Sequence, residues 1–242
     1  KGIMCVPRHS NPTGDIYSDE NLLAIMHAGK AYSDEFLFIF DHAYLLHDFL
    51  PSANQTPTWE LAQSIGADDQ AAVFCSFSKV TFGGGGLSFA TAGKPLFDLL
   101  ARQRASMIVC PDKVNQMRHL EFLKDKEDVL EHMIKHADIV RPKFEVAFDA
   151  LDVLSSEIGN YQKPTGGYFI SYDAKRPIAK RVIELCKDLG VLITPAGSTY
   201  PHFHDPLDSN IRLAPTFLGI EDLKDAMEVF VTAIMIAHQE LD

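Results

Sequence analysis

The chain has 242 residues, 46% of them hydrophobic and 23% charged, which suffices for one large or two modest cores and excludes global disorder. A formal net charge of -11, with no basic cluster set against it, excludes an electrostatic footprint on nucleic acid or on an anionic membrane. Cys5, Cys75, Cys110 and Cys186 lack the close spacing of a zinc site or disulfide framework, so reduced thiols and a cytoplasmic location are expected; the longest apolar stretch, near Val229 to Ala237, is too short to span a bilayer.

In chain order, Gly2 to Val6 reads as a buried strand without a polar lead-in, as if cut from a larger protein, and it runs into Asn11-Pro12-Thr13-Gly14. Ser18 is a candidate N-cap for a helix carrying Leu22, Leu23, Ile25 and Met26 and closing near Gly29. Phe36 to Phe40 predicts a second buried strand, ending at Asp41 in the sequence Asp41-His42-Ala43-Tyr44. Strand-helix-strand order implies parallel pairing with right-handed crossovers, which aligns the C-terminal ends of these strands on one sheet edge, where open sheets bind ligands. A third strand near Ala71 to Cys75 delivers Ser76-Phe77-Ser78-Lys79 to that edge, and Leu87 to Thr91 returns behind Gly83 to Gly86.

From Pro95 to about Asp152 the spacing is helical, with Pro142 expected to kink or interrupt the last helix. Strands then follow at Gly167 to Tyr172, Val191 to Thr194 and Asn210 to Ala214, with helices at Ile178 to Leu189 and from about Glu221. The fold expected is α/β: part of a three-layer, mainly parallel large domain with the start of linking helices (1–125), then a linking helix and a smaller α+β domain (126–242).

Taken singly, Lys79 reads equally as a surface lysine beside glycines, Asp41 as a cap after a strand, and Arg212 as an ion-pair partner. A lysine at a strand-to-loop edge, with hydroxyls one and three residues before it, also suits imine formation with an aldehyde cofactor. In company, the set Asn11-Pro12-Thr13-Gly14, Asp41-His42-Ala43-Tyr44, Ser76-Phe77-Ser78-Lys79 and Asn210-Ile211-Arg212-Leu213-Ala214-Pro215 resembles the class I, fold-type I aminotransferases. Within them it is most similar to the bacterial aspartate aminotransferase-like branch, and the likeness covers essentially the whole chain.

The resemblance implies pyridoxal 5'-phosphate as cofactor and a homodimer whose sites lie between domains and at the subunit interface. Small amino acids and 2-oxo acids, with aspartate and glutamate foremost, are the implied substrates. Lys79 would hold the cofactor as an imine and move a proton at the substrate α-carbon. Asp41 would pair with the pyridine nitrogen, and Tyr44 and Asn11 would hydrogen-bond the ring oxygen. Ser76, with Ser78 as a second candidate, would bind the phosphate. Arg212 would clamp the substrate carboxylate through its bidentate fork, with Asn11 also on the substrate side.

Two departures from the family pattern stand out. Leu87 and Ser88 occupy the stretch where many relatives carry a phosphate-binding arginine, leaving either an anion nest at Gly83 to Gly86 or a loop without a phosphate role. The N-terminal part that supplies a phosphate loop and a stacking ring is missing before Lys1, so the isolated chain is expected to be impaired. A lyase of the same fold, or a non-catalytic effector domain of a transcriptional regulator, is the alternative. No metal site is expected, since His202, His204 and Asp205 sit in an ordinary polar loop; His42 and His47 are expected to pack behind the site.

Overall fold

Strands β1 (Gly2–Cys5), β2 (Leu37–His42) and β3 (Ala71–Ser76) run parallel, and β4 (Ser88–Ala92) returns antiparallel to β3, giving the sheet order β1-β2-β3-β4. The computed structural model describes residues 1–50 and 56–242. They form two compact units, one of Lys1–Ser10 and Asp15–Ile134, the other of Asn11–Gly14 and Lys135–Asp242. Among the described residues no helix is long and apolar enough to cross a membrane.

The first unit is built on its sheet. Helix α1 (Asp19–Tyr32) connects β1 to β2, and the Ser18 hydroxyl caps it by accepting the Asn21 N–H at 3.2 Å. It outlasts the predicted end at Gly29 by three residues. Leu22 and Met26, one turn apart, are fully buried with Phe38 and Phe40 of β2, and a side chain of this size contributes about 1.5–3 kcal/mol on burial. Helix α2 (Thr58–Ser64), which the sequence pattern did not reveal, adds Leu61 and Ala62 to the same core. Helices α3 (Lys94–Met107) and α4 (Lys113–Phe122) follow β4.

Helix α5 (Lys126–Leu151) spans the division between Ile134 and Lys135. Pro142 lies inside the helix, so of the kink or interruption expected from sequence the interruption does not occur. A mid-helix proline costs about 3 kcal/mol, but buried residues recur at Met133, Ala137, Val140, Phe144, Ala147 and Leu151 on both sides of it, enough apolar burial to keep one helix.

In the second unit β5 (Gly159–Tyr161), β6 (Ile170–Ala174) and β7 (Asn210–Leu213) form an antiparallel sheet in the order β5-β6-β7. Helices α6 (Ala179–Asp188) and α7 (Ile220–Gln239) complete it, joined by the fork of Arg181 on Glu240, both bonds 2.7 Å. Tyr172 of β6 meets Phe230 of α7 edge-on with ring centres 6.0 Å apart. The strand expected at Val191 to Thr194 is absent: the segment joins no ladder among the described residues, and Leu192 is exposed. The strand expected from Gly167 begins instead at Ile170, because Gly167 adopts φ 76°, outside the β region.

Candidate active site

The parallel register puts Asp41 and Ser76 at the C-terminal ends of neighbouring strands, with His42 opposite Cys75. The Asp41 carboxylate accepts the Ala43 N–H at 3.0 Å, the side-chain-to-backbone bond that turns a chain sharply after a strand. That turn buries Tyr44, and the Lys79 ammonium lies 5.0 Å from the centre of the Tyr44 ring. Lys79 itself is exposed, so this cation–π contact is of the weaker kind, about 0.5–1 kcal/mol.

Beside Lys79 is a hydroxyl cluster. Ser76 Oγ accepts the Ser78 N–H at 3.1 Å and donates to Ser78 Oγ at 2.9 Å, while Ser88 Oγ donates to Ser76 Oγ at 3.4 Å. The Phe77 carbonyl then accepts from the N–H groups of Val80 (3.0 Å) and Thr81 (2.9 Å), which winds residues 77–81 into one turn. Three imidazoles reach this turn. His47 Nε2 lies 3.0 Å from the Lys79 carbonyl, His132 Nε2 2.7 Å from the Val80 carbonyl, and His119 Nε2 2.9 Å from Thr81 Oγ1. The glycine run does not form the anion nest considered from sequence: Gly83–Gly85 is a short 3-10 turn, and none of the four glycines takes the positive φ that an alternating nest requires. Gly86 serves close packing instead, since a Cβ there would lie 2.6 Å from the Ser78 Cα.

His42 hydrogen-bonds Thr58 Oγ1 through Nε2 at 2.8 Å, and burial lowers its pKa, which keeps the ring neutral behind Asp41. A group that sequence reasoning missed is Asp48, which holds buried Arg8 at 2.7 Å and buried His9 at 3.1 Å. Burial pulls the Asp48 carboxyl up, but hydrogen bonds from His9 and Arg8 outweigh it and leave the pKa lowered.

The second unit carries Arg212 and, in its Asn11–Gly14 segment, Asn11. Arg212 donates through Nη1 to Asn11 Oδ1 (3.1 Å) and through Nη2 to Thr194 Oγ1 (3.4 Å), and its guanidinium lies 4.7 Å from the Phe169 ring centre. Its Nε is buried and unpartnered, and among the described residues Arg212 forms no ion pair. A cation whose partners are neutral oxygens, with one donor left over, suits an incoming carboxylate. Two residues earlier on the same face of β7, Asn210 donates to Ser171 Oγ and Asp173 Oδ1, both at 2.8 Å, and accepts from Thr199 at 2.9 Å.

The donor set of the first unit fits pyridoxal phosphate chemistry: a carboxylate for a pyridinium, a phenol, a lysine amine and clustered hydroxyls. Lys79, Asp41, Tyr44, Ser76 and Ser78 thus lie in the first unit, and Asn11 and Arg212 in the second.

Residues 1–241 match the family model described as aspartate amino-transferase. An aspartate aminotransferase of Corynebacterium glutamicum is 34% identical over 243 residues, covering 99% of this chain and 56% of the relative. The crystal structure of an aspartate transaminase from the same species aligns with a TM-score of 0.93 at 32% identity, over 99% of this chain and 57% of that one. The HTH-type transcriptional regulator NorG of Staphylococcus aureus is 24% identical over 97% of this chain and 50% of its own length. The chain thus spans about half the length of these relatives. The α/β fold with its mainly parallel sheet and the family match agree, and the chain belongs to the aspartate aminotransferase family.

Proposed function

We propose that the protein takes part in pyridoxal 5'-phosphate-dependent transamination, moving an amino group between an α-amino acid and a 2-oxo acid. The observation that carries the reading is the Lys79 ammonium against the Tyr44 ring, beside Asp41 at the C-terminal edge of a parallel sheet, in a chain of this family. When bound, the cofactor supplies an electron sink for the carbanion at the substrate α-carbon. Lys79 anchors it and carries the proton to and from that carbon. Asp41 holds the pyridine nitrogen protonated, Tyr44 and Asn11 hydrogen-bond the ring oxygen, and Ser76 and Ser78 donate to the phosphate. Arg212 receives the substrate carboxylate through its guanidinium.

Aspartate and glutamate with their oxo acids are the proposed substrates, supported by the name of the Corynebacterium relative. A homodimer follows from the family, and a cytoplasmic location accords with four cysteines that are all free thiols. The likeness to NorG supports a second reading, an effector-binding domain without turnover.

The test is to incubate the chain with pyridoxal 5'-phosphate, reduce with borohydride and map the adduct by peptide mass spectrometry, with Lys79→Ala as control. A stoichiometric adduct on Lys79 followed by aspartate-dependent turnover supports transamination. An adduct without turnover by the full-length protein favours the effector reading, and no specific adduct in either form sinks the enzyme reading.

A further inference from the structure

We propose that His47 and His132 are positioning residues that clamp the backbone of the anchoring lysine, fixing where the Lys79 ammonium is presented. The inference rests on the reading of Lys79 as the cofactor anchor. The turn at 77–81 is not continued as a helix, so its later carbonyls must find donors outside it. For two consecutive residues, Lys79 and Val80, imidazoles from different elements supply them: His47 from the turn after β2 and His132 from α5. A carbonyl only accepts, so both rings carry their proton on Nε2. His47 also meets the Tyr44 ring edge-on, with ring centres 5.6 Å apart. One side chain thus touches both the backbone of Lys79 and the ring against which its ammonium rests.

The exposure of Lys79 gives the clamp its purpose. On an exposed side chain the backbone it grows from weighs heavily in where the ammonium is presented, here beside the Tyr44 ring. Next along the turn, Thr81 hydrogen-bonds buried His119, whose Nδ1 lies 2.9 Å from the Asn115 carbonyl, and this secures the far end. A histidine that merely filled space would not need to place Nε2 on a main-chain oxygen at either position.

The experiment reads Lys79 directly. The chain is reductively methylated with carbon-13 formaldehyde, and the dimethyl-lysine signal of residue 79 is assigned by its loss in Lys79→Arg. In the parent this signal should be displaced upfield by the Tyr44 ring. His47→Gln, whose amide can reach the same carbonyl, should keep the displacement; His47→Asn, polar but shorter, should lose it while the other lysine signals stay put. Should His47→Asn fail to melt cooperatively, His132→Asn is judged by the same criterion. An unchanged Lys79 displacement in a folded Asn variant overturns the proposal. Borohydride trapping at sub-saturating pyridoxal 5'-phosphate should fall about three- to tenfold in His47→Asn and recover in His47→Gln. If neither the parent nor the full-length protein takes an adduct on Lys79, the transamination reading fails, while the methyl displacement still decides whether His47 orients the lysine.

Discussion

Asp48 offers the sharpest test of how the first unit is held together. Its carboxylate lies 2.7 Å from Arg8 Nη2, with side chains only 19% and 8% exposed, and 3.1 Å from fully buried His9. At an effective dielectric of about 20 the Arg8 attraction amounts to roughly 6 kcal/mol, most of it offset by desolvation of the two ions. Truncating one partner loses that attraction but leaves Arg8 buried, and such losses run to about 3–5 kcal/mol. Asp48→Ala should therefore lower the thermal midpoint at neutral pH by about 6–20 °C, using the scaling for a chain of this size. Because the folded carboxyl is held below its usual range, its contribution is present above the unfolded pKa of about 3.9 and is lost as pH falls through the folded value. The gap between parent and variant should thus hold from neutral pH down to about pH 4 and narrow only below it. Calorimetry or circular dichroism melts across that range would decide. A loss under about 2 °C at pH 7, or a gap that already narrows well above pH 4, would refute the reasoning.

Three further outcomes are expected. Gly86→Ala should cost about 1–3 kcal/mol in urea unfolding, since its Cβ would press on the Ser78 backbone at 2.6 Å, whereas Gly84→Ala, with nothing within 4 Å, should be close to neutral. Arg212→Lys in the full-length protein should leave the urea midpoint nearly unchanged but weaken binding of a dicarboxylate such as maleate at least about tenfold by calorimetry, because an ammonium cannot replace the guanidinium fork. Iodoacetamide at pH 8 should label exposed Cys110 within minutes and spare Cys186, whose thiol is buried and pushed up to about 11, leaving roughly a thousandth as thiolate; labelling of both at one rate in the native state would count against the burial described.

The shared placement of several candidate residues was legible because they follow short apolar runs at strand ends. Asp41, Ser76 and Lys79 follow apolar runs that read as buried strands, and parallel pairing of such strands implies that all three share one edge. The histidine clamp was not legible. His47 and His132 reach main-chain carbonyls 32 and 52 residues away, and a bond to backbone imposes neither a periodicity nor a partner residue type. The ion pair of Arg8 and Asp48, 40 residues apart, was hidden for the same reason. Local rules misled where packing overrode them. Pro142 stayed helical because apolar residues are buried on both sides of it, while Val191 to Thr194, although β-branched and apolar, had no neighbouring strand to pair with.

The segment Asn11–Gly14 makes the second unit discontinuous in sequence, and this bears on how the unit can be made or cut. The hydrogen bond between Arg212 and Asn11 joins residues 201 apart, so during synthesis Asn11 waits for nearly the whole chain before its partner exists. Loop closure over such a distance grows only logarithmically in cost, which makes the contact late rather than weak. A fragment beginning at Lys135 would contain Arg212, Thr194 and Phe169 yet leave a second guanidinium nitrogen without its acceptor. Proteolysis or gene fission in α5 would therefore part the Arg212 guanidinium from one of its acceptor oxygens, however well the remaining sheet and helices folded.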